Sequence, residues 1–354
     1  MTTTIWATVF VLGVLIFIHE LGHFLVAKWA GIKVERFSLG FPPKMIGKQI
    51  GETDYCISWV PLGGYVKMVG ENPDEPSTGD PREFMSKSVG TRTLVILAGP
   101  LMNFIAAALI FIAVLWLHGR DTIDKTQVVV GPVVADGPAD KIGIKTGDII
   151  QAVDHNRVAD FDSMAKLIHS RPGDTVEILW KHDGDLYSAR VRTRIDTAKK
   201  TDGADTVVGV IGIGMGYVTE TVGFTAAVSG GISQTFDFCG EMLKFLWGLF
   251  SGSVSIKNVS GPVGIAQIAG KVAREGWAVL MNFMAVLSLN LALLNILPVP
   301  ILDGGHLVFL LIEKLRGRPL SMKQRAVAQQ VGMLLLVLLI VTVTYHDIAR
   351  FISG

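Results

Sequence analysis

The chain has 354 residues, of which 50% are hydrophobic and 18% are charged, and its mean hydropathy is +0.46. Soluble domains carry about 25% charged residues, so this composition indicates a membrane protein. The formal net charge of +1 argues against a nucleic-acid-binding protein, which would normally carry a basic stripe. The two cysteines, Cys56 and Cys239, form no CxxC pair, which argues against a cysteine metal site or a disulfide framework.

Four hydrophobic segments have lengths near those that a bilayer core of about 30 Å requires. They run from Ile5 to Ala27, from Leu94 to Leu117, from Trp277 to Leu297 and, in a shorter form, from Val331 to Tyr345. The first residues, MTTT, lack the positive charges of a cleavable signal peptide, so we expect the first segment to be retained as an anchor. A fifth stretch, 224–250, contains charged residues and is predicted to lie at the membrane interface as an amphipathic segment.

Basic residues predict how these segments are oriented. Lysines and arginines are frequent between the first and second segments and again in EKLRGRPLSMKQR, between the third and fourth. Because positively charged loops tend to stay in the cytoplasm, we expect both of these loops to be cytoplasmic. Both termini and the long region between the second and third segments would then lie on the outer side.

The first segment ends in an HExxH motif, which spans His19 to His23 and contains Glu20. Residues four apart lie one turn apart on one helix face, so the two imidazoles can hold one zinc ion while Glu20 polarises a bound water. The alternative is an ordinary core helix with hydrogen-bonded histidines. The membrane setting favours the metal site, because ionisable groups at membrane depth are costly and usually functional.

A catalytic zinc needs a third protein ligand, and the best candidate is Asp303 in NILPVPILDGGH. Pro298 and Pro300 break the helix there, and irregular backbone at membrane depth is tolerated where it lines a cavity. One alternative is that Asp303 only caps a helix. A second is that His306 is the ligand instead, which we rank lower.

The region between the second and third hydrophobic segments has the character of a soluble module. Residues 127–194 alternate short valine and isoleucine runs with PGD, DHN and HDGD turns and include one helical stretch, FDSMAKLIHS. This pattern predicts a small, largely β module. A polar stretch separates it from VVGVIGIG, which is predicted to form one more strand.

Several separated motifs together resemble one known family. HELGH, LAGPLMNF (97–104) and NILPVPILDGG resemble the site-2 protease family of intramembrane zinc metalloproteases, peptidase M50. PLGGYVKM (61–68) and SGPVGI (260–265) resemble its RseP-type branch, which regulates the sigma-E envelope stress response. The stretch GPADKIGIKTGDIIQAVD resembles a PDZ domain; the best-known RseP-type members have two such modules, and this sequence indicates one.

The resemblance implies an α+β polytopic membrane protein. About four transmembrane helices would form an intramembrane zinc protease core, with a membrane-associated β-hairpin and one periplasmic PDZ domain. Residues 1–120 would hold the first two helices and the hairpin, 121–196 the PDZ domain, 197–275 a strand and amphipathic interfacial helices, and 276–354 the last two helices with the LDG motif. The implied location is the bacterial inner membrane, with the active site toward the cytoplasmic side.

The resemblance also implies roles for individual residues. His19, His23 and Asp303 would bind Zn²⁺, and Glu20 would be the general base. The implied substrate-binding residues are Asn295, Gly64, Tyr65, Val66, Pro298 and Pro300. The segment 63–68 would be a hairpin whose edge pairs with substrate, and 39–47 would enter the membrane nearby. We expect Asn103, beside Gly99, to serve close helix packing rather than catalysis.

The implied reaction is hydrolysis of a peptide bond within or near the transmembrane segment of single-span membrane proteins, such as an anti-sigma factor or remnant signal peptides. The PDZ domain would bind a peptide or a C terminus between the segment VVVGPVVADGPA and the helix near 164–168, or would act as a spacer. Two other functions remain open: a PDZ-containing membrane scaffold with a non-catalytic metal site, and a metal transporter. Glu20 argues against the scaffold, because zinc binding alone does not need it, and the sequence has no visible inverted repeat of the transporter kind.

Overall fold

The computed structural model describes residues 2–71, 78–124, 126–199, 205–255 and 259–353. The chain forms two compact units: a larger one made of residues 1–117 and 223–354, and a smaller one made of residues 118–222.

Helices and strands follow one another along the chain in this order. The helices are α1 (Thr2–Trp29), α2 (Val89–Leu117), α3 (Pro138–Lys141), α4 (Phe161–His169), α5 (Phe224–Ser251), α6 (Pro262–Glu275), α7 (Trp277–Ile296), α8 (Asp303–Arg316) and α9 (Met322–Ser353). The strands are β1 (Val34–Ile50), β2 (Thr53–Met68), β3 (Arg120–Thr122), β4 (Val128–Val133), β5 (Ile149–Val153), β6 (Asn156–Arg157), β7 (Thr175–His182), β8 (Asp185–Arg192), β9 (Arg194–Lys199), β10 (Asp205–Val210), β11 (Ile213–Met215) and β12 (Val218–Glu220).

In the described part of the chain, α1, α2, α7 and α9 are long and apolar enough to cross a membrane. They coincide with the four predicted hydrophobic segments, so the prediction of a polytopic membrane protein is confirmed. Helices α2 and α9 begin well before the predicted hydrophobic segments, because polar residues cap them. Thr91 N–H donates to Ser88 Oγ at the start of α2, and Ser321 and Gln324 cap each other at the start of α9.

The membrane helices of the larger unit pack around small and aliphatic side chains. Val11 and Leu15 of α1 meet Met284 of α7 in one cluster, and Phe111 of α2 meets Leu289 of α7 in another. The stretch predicted to be amphipathic forms one helix, α5, which packs against α2. At Gly231 the two backbones come so close that an added Cβ would lie 2.7 Å from Ile112 N.

The two long strands β1 and β2 form a hairpin whose chain reversal lies at Gly51 and Glu52. The strand-turn-strand composition of YCISWVPLGGYVKM (55–68) predicts a turn within this stretch, and the register agrees. Residues 54–57 run parallel to residues 36–39, whereas residues 64–67 run antiparallel to them, so β2 reverses its direction between Ile57 and Gly64. Gly51 has a φ of 61°, the left-handed conformation that a tight reversal uses. Leu39 lies opposite both Ile57 and Gly64, so the first half of β1 lies between the two halves of β2.

The smaller unit is built on an antiparallel sheet with the strand order β11-β4-β5-β7-β8. Its core contains Val128, Ile150, Ile178 and Trp180 from the strands, and Met164 of α4 packs among them. The segment VVGVIGIG, predicted as one strand, forms parts of two strands, β10 and β11. The break lies at Gly212, whose φ of 80° interrupts an extended chain.

Candidate metal centre and active site

Two imidazoles of α1 and one carboxylate of α8 meet inside the larger unit. Nε2 of His19 lies 3.2 Å from Nε2 of His23 and 3.1 Å from Oδ2 of Asp303. Nε2 of His23 lies 3.6 Å from Oδ1 of Asp303. One ligand atom from each residue lies within 4.8 Å of the others, so the three side chains form a group that can hold a metal ion.

Glycines allow α1 and α2 to approach each other at this cluster. A Cβ added to Gly22 would lie 2.3 Å from the carbonyl oxygen of Ala98, and one added to Gly99 would lie 2.3 Å from His23 Nε2. Small residues at helix contacts permit this close approach within a membrane. The two glycines therefore provide the space in which the imidazoles sit.

Asp303 is brought to the histidines by a break between two helices. Helix α7 ends at Ile296, and α8 begins at Asp303 itself, after the loop that contains Pro298 and Pro300. An added Cβ on Gly304 would lie 2.1 Å from the carbonyl oxygen of Ile296. Glycine is thus required for the first turn of α8 to fold tightly onto the end of α7, which directs the Asp303 carboxylate toward α1.

Side chains and backbone around the cluster contact the ring nitrogens of the two histidines. His23 Nδ1 donates a hydrogen bond to the Val95 carbonyl oxygen at 2.8 Å. The amide nitrogen of Asn103 lies 3.5 Å from His19 Nδ1, and that of Asn295 lies 3.4 Å from His19 Nε2. Sequence reasoning assigned Asn103 to helix packing alone and did not foresee this contact.

The donor set fits a divalent metal such as zinc. Two imidazole nitrogens and a carboxylate are a common ligand set for zinc with an open fourth position. Asp303 Oδ2 is buried and makes no hydrogen bond within the described residues, although two imidazoles face the carboxylate. Burial acts to raise the pKa of Asp303, but the attraction of His19 and His23 outweighs it and holds that pKa below its ordinary value. The carboxylate is therefore ionised and suited to a cation.

Glu20 and part of β2 line the same cavity, which has a volume of about 590 Å³. Tyr65 and Val66 are also in its wall. Gly64 packs against the catalytic candidate, since an added Cβ there would lie 3.3 Å from Glu20 Cγ. Pro298 and Pro300 are not among the described residues that line the cavity, and both lie in the loop before α8.

The alternative ligand His306 is in the cavity wall but outside the group of three ligands. Its ring packs edge-on against Phe309 of the same helix. Burial lowers the pKa of His306, so its imidazole is predominantly neutral.

A buried ion pair at the wall of this cavity was not foreseen from the sequence. Arg92 donates to Glu313 through both guanidinium nitrogens, at 2.5 and 3.2 Å, and Arg325 approaches Glu313 to 3.7 Å. The signal in the sequence was Arg92, which lies two residues before an uncharged hydrophobic run. Sequence reasoning treated this arginine only as a basic loop residue.

In the smaller unit, two of the residues proposed for a peptide groove lie in the core. Met164 and Ile168 of α4 are 2% and 3% exposed. A groove beside α4 would therefore have to use the other side chains of that helix. Strand β4, which contains the first half of the other proposed groove segment, lies inside the sheet between β11 and β5.

Comparison with known proteins matches almost the whole chain. A chain from Rhizobium meliloti is 34% identical across 98% of this chain and 96% of its own length. The zinc metalloprotease RasP of Geobacillus kaustophilus is 31% identical across 96% of both chains. The regulator of sigma-W protease RasP of Bacillus subtilis is 29% identical across 98% of both chains.

One similar solved structure is the PDZ domain of an SdrC-like protein from Listeria monocytogenes. It is 28% identical, covers 27% of this chain and 92% of its own, and has a TM-score of 0.21. The model of peptidase family M50 matches residues 7–339. With this match and relatives aligned along nearly their full length, the chain belongs to peptidase family M50 and is a zinc metalloprotease.

Proposed function

We propose that this protein is an intramembrane endopeptidase that cleaves single-span membrane proteins within or near their transmembrane segments. The observation that carries the proposal is one cavity lined by His19, His23, Asp303 and Glu20, between helices that include three of membrane-spanning character. Ionisable groups in such segments are costly to bury and usually serve a function.

His19 and His23 would hold the zinc ion through Nε2, and Asp303 would hold it through a carboxylate oxygen. A zinc ion bound there supplies a Lewis acid for the scissile carbonyl and lowers the pKa of a bound water. Glu20, in the wall of the same cavity, accepts a proton from the attacking water and transfers it to the leaving amine. The amide of Asn295, 3.4 Å from His19 Nε2, supports its role as a donor to the developing oxyanion.

The second half of β2 is the proposed substrate-binding edge. In the described part of the chain it pairs with β1 on one side. Met68 N–H donates to Glu71 Oε2 and so points away from β1. Because successive residues of a strand alternate in direction, the N–H groups of Gly64 and Val66 also point away from β1. An extended substrate segment pairs with these groups by strand addition, which keeps it unwound beside Glu20. Tyr65, stacked on Phe41, flanks this edge, and Pro298 and Pro300 keep the loop before Asp303 non-helical.

The hairpin carries apolar side chains that suit contact with lipid. Phe41, Met45, Ile46 and Trp59 are exposed on β1 and β2. Exposed apolar patches of this kind mark membrane or protein contacts. We therefore propose that the hairpin enters the membrane beside the cavity, on the cytoplasmic side to which the basic loops point.

The smaller unit lies on the periplasmic side in this proposal and acts as a PDZ-type filter for substrates. The name of the Bacillus subtilis relative, regulator of sigma-W protease RasP, connects that protease with sigma-W, which favours substrates of the anti-sigma-factor type. The resemblance of the sequence suggested the sigma-E response, whereas the named relative concerns sigma-W.

The test is cleavage of a single-span reporter by the full-length protein purified in detergent. We expect a product that a zinc chelator abolishes. Glu20→Gln should retain zinc and lose at least about 10²-fold of the activity, in line with removal of a general base. The matched control is Glu275→Gln, an exposed glutamate of α6, which should cleave like the wild type.

The same experiment separates the competing functions. A scaffold with a non-catalytic metal site would give no product with the wild-type protein, and its phenotype in cells would survive Glu20→Gln. A metal transporter would move zinc across a vesicle membrane. Full cleavage by the Glu20→Gln protein would rule out the role proposed for this residue.

A further inference from the structure

The imidazole of His19 lies between two asparagine amides. Asn103 Nδ2 is 3.5 Å from His19 Nδ1, and Asn295 Nδ2 is 3.4 Å from His19 Nε2. A neutral imidazole has one accepting nitrogen and one N–H donor, so it accepts a hydrogen bond from only one of the two amides. The other nitrogen needs an acceptor beside it.

The geometry of the cluster decides which nitrogen carries the proton. His19 Nε2 faces Asp303 Oδ2 and His23 Nε2, so Nε2 is the nitrogen available for a metal ion. Nδ1 must then carry the hydrogen, and the Asn103 amide lies 3.5 Å from it. In either orientation of the Asn103 amide, one of its two polar atoms is buried without a partner, and in this structure that atom is Oδ1. The hydrogen bond that His19 requires therefore decides between the two amide orientations.

We propose that Asn103 is a positioning residue for the metal centre, with its Oδ1 accepting the Nδ1–H of His19. This rests on the proposed zinc site and adds a role for a residue that touches neither the metal nor the substrate. The hydrogen bond holds His19 in the tautomer that presents a free Nε2, and it fixes the plane of the ring. Such outer partners of metal-bound histidines set ring orientation and raise ligand basicity.

Helix α2 then supports both histidines in the same way. The Val95 carbonyl oxygen accepts from His23 Nδ1 at 2.8 Å, and Asn103 accepts from His19 Nδ1. Gly99 lies midway and makes room for both rings. Residues spaced by four occupy one face of a helix, and His19 and His23 have the same spacing on α1. Each imidazole of α1 therefore has its own acceptor on the facing turn of α2.

The pair Asn103→Leu and Asn103→Asp tests this assignment in full-length protein purified in detergent. Leucine has a similar volume and no acceptor, and aspartate has a similar shape with acceptors only. We expect zinc affinity, measured by competition with a chelator, to fall about 10- to 100-fold in Asn103→Leu. Asn103→Asp should bind zinc within about threefold of the wild type, or more tightly, because a carboxylate is a common partner of a zinc-bound histidine.

The matched control is Asn282→Leu in α7, which lies about 20 Å along that helix from Asn295 and should leave zinc affinity unchanged. Wild-type affinity in Asn103→Leu would assign Asn103 to packing alone and overturn the inference. Equal losses in both Asn103 variants would mean that the amide acts as a donor, which also overturns it. A wild-type protein without zinc affinity would instead reject the metal site itself, along with the role of Asn103.

Discussion

Gly99 of α2 lies against both imidazoles of the candidate centre. A Cβ added there would lie 2.3 Å from His23 Nε2 and 2.8 Å from His19 Cε1. Both distances are too short for a side-chain carbon, and backbone hydrogen bonds of α2 limit how far the helix can move away. The glycine is therefore required by the space that the two rings occupy.

Gly99→Ala should displace the imidazoles and weaken zinc binding by at least about tenfold. The overall fold should persist, since alanine favours a helix over glycine by about 0.5–1 kcal/mol. Gly13→Ala is the matched control, because an added Cβ at Gly13 of α1 meets nothing within 4 Å. Zinc titration and thermal unfolding of both variants check this expectation, and equal zinc affinity in both would contradict it.

At the scale of elements, a buried ionic contact joins α2, α8 and α9. Arg92 is 4% exposed and binds Glu313 through two hydrogen bonds, while Arg325 stands 3.7 Å from the same carboxylate. Removing one member of a buried pair leaves an uncompensated charge, which is much worse than losing an exposed pair. Glu313 therefore matters for the position of α8, the helix that begins with Asp303.

Glu313→Leu should destabilise the protein by about 3–5 kcal/mol, because Arg92 and Arg325 stay buried without their carboxylate. Glu275→Leu is the control, since Glu275 forms an exposed pair with Lys271 at 3.9 Å and such pairs contribute about 0–1 kcal/mol. Unfolding of both variants in detergent, followed by temperature or denaturant, measures the difference. Similar unfolding of both variants would show that Arg92 finds another partner.

At the scale of the whole molecule, the proposed orientation in the membrane rests on charge. The basic residues lie in the loops before α2 and before α9, and the region between α2 and α7 carries the smaller unit. Positive loops that stay in the cytoplasm leave that unit outside. Both native cysteines are buried, so the wild-type chain should give a low background in labelling by thiol reagents.

We expect Ser188→Cys in β8 to react with a membrane-impermeant thiol reagent in right-side-out vesicles. Arg318→Cys, in the loop between α8 and α9, should react only after the membrane is opened, because the proposed orientation puts that loop on the cytoplasmic side. The reverse pattern would mean an inverted protein. Labelling of both introduced cysteines from the same side would contradict an odd number of membrane crossings between residues 188 and 318.

Some of these features were determined by the sequence alone. The two histidines of HELGH are four residues apart, so any helix presents them on one face, and the uncharged runs near twenty residues predict the membrane helices. These are local properties, set by helix geometry and by hydrophobicity over one segment. The break at Pro298 and Pro300 is local in the same way, since proline cannot continue the helical hydrogen bonds.

Other features were decided by the tertiary structure. Asp303 lies far along the chain from His19, and only the packing of α8 against α1 and α2 brings its oxygen to 3.1 Å from that ring. The contacts of Asn103 and the pair of Arg92 with Glu313 join different helices, and no local pattern specifies which polar groups meet. The pairing of residues 36–39 with both 54–57 and 64–67 is decided in the same way, because it joins separate parts of the chain. Long-range packing determines these contacts, and the spacing of residues along the chain does not predict it.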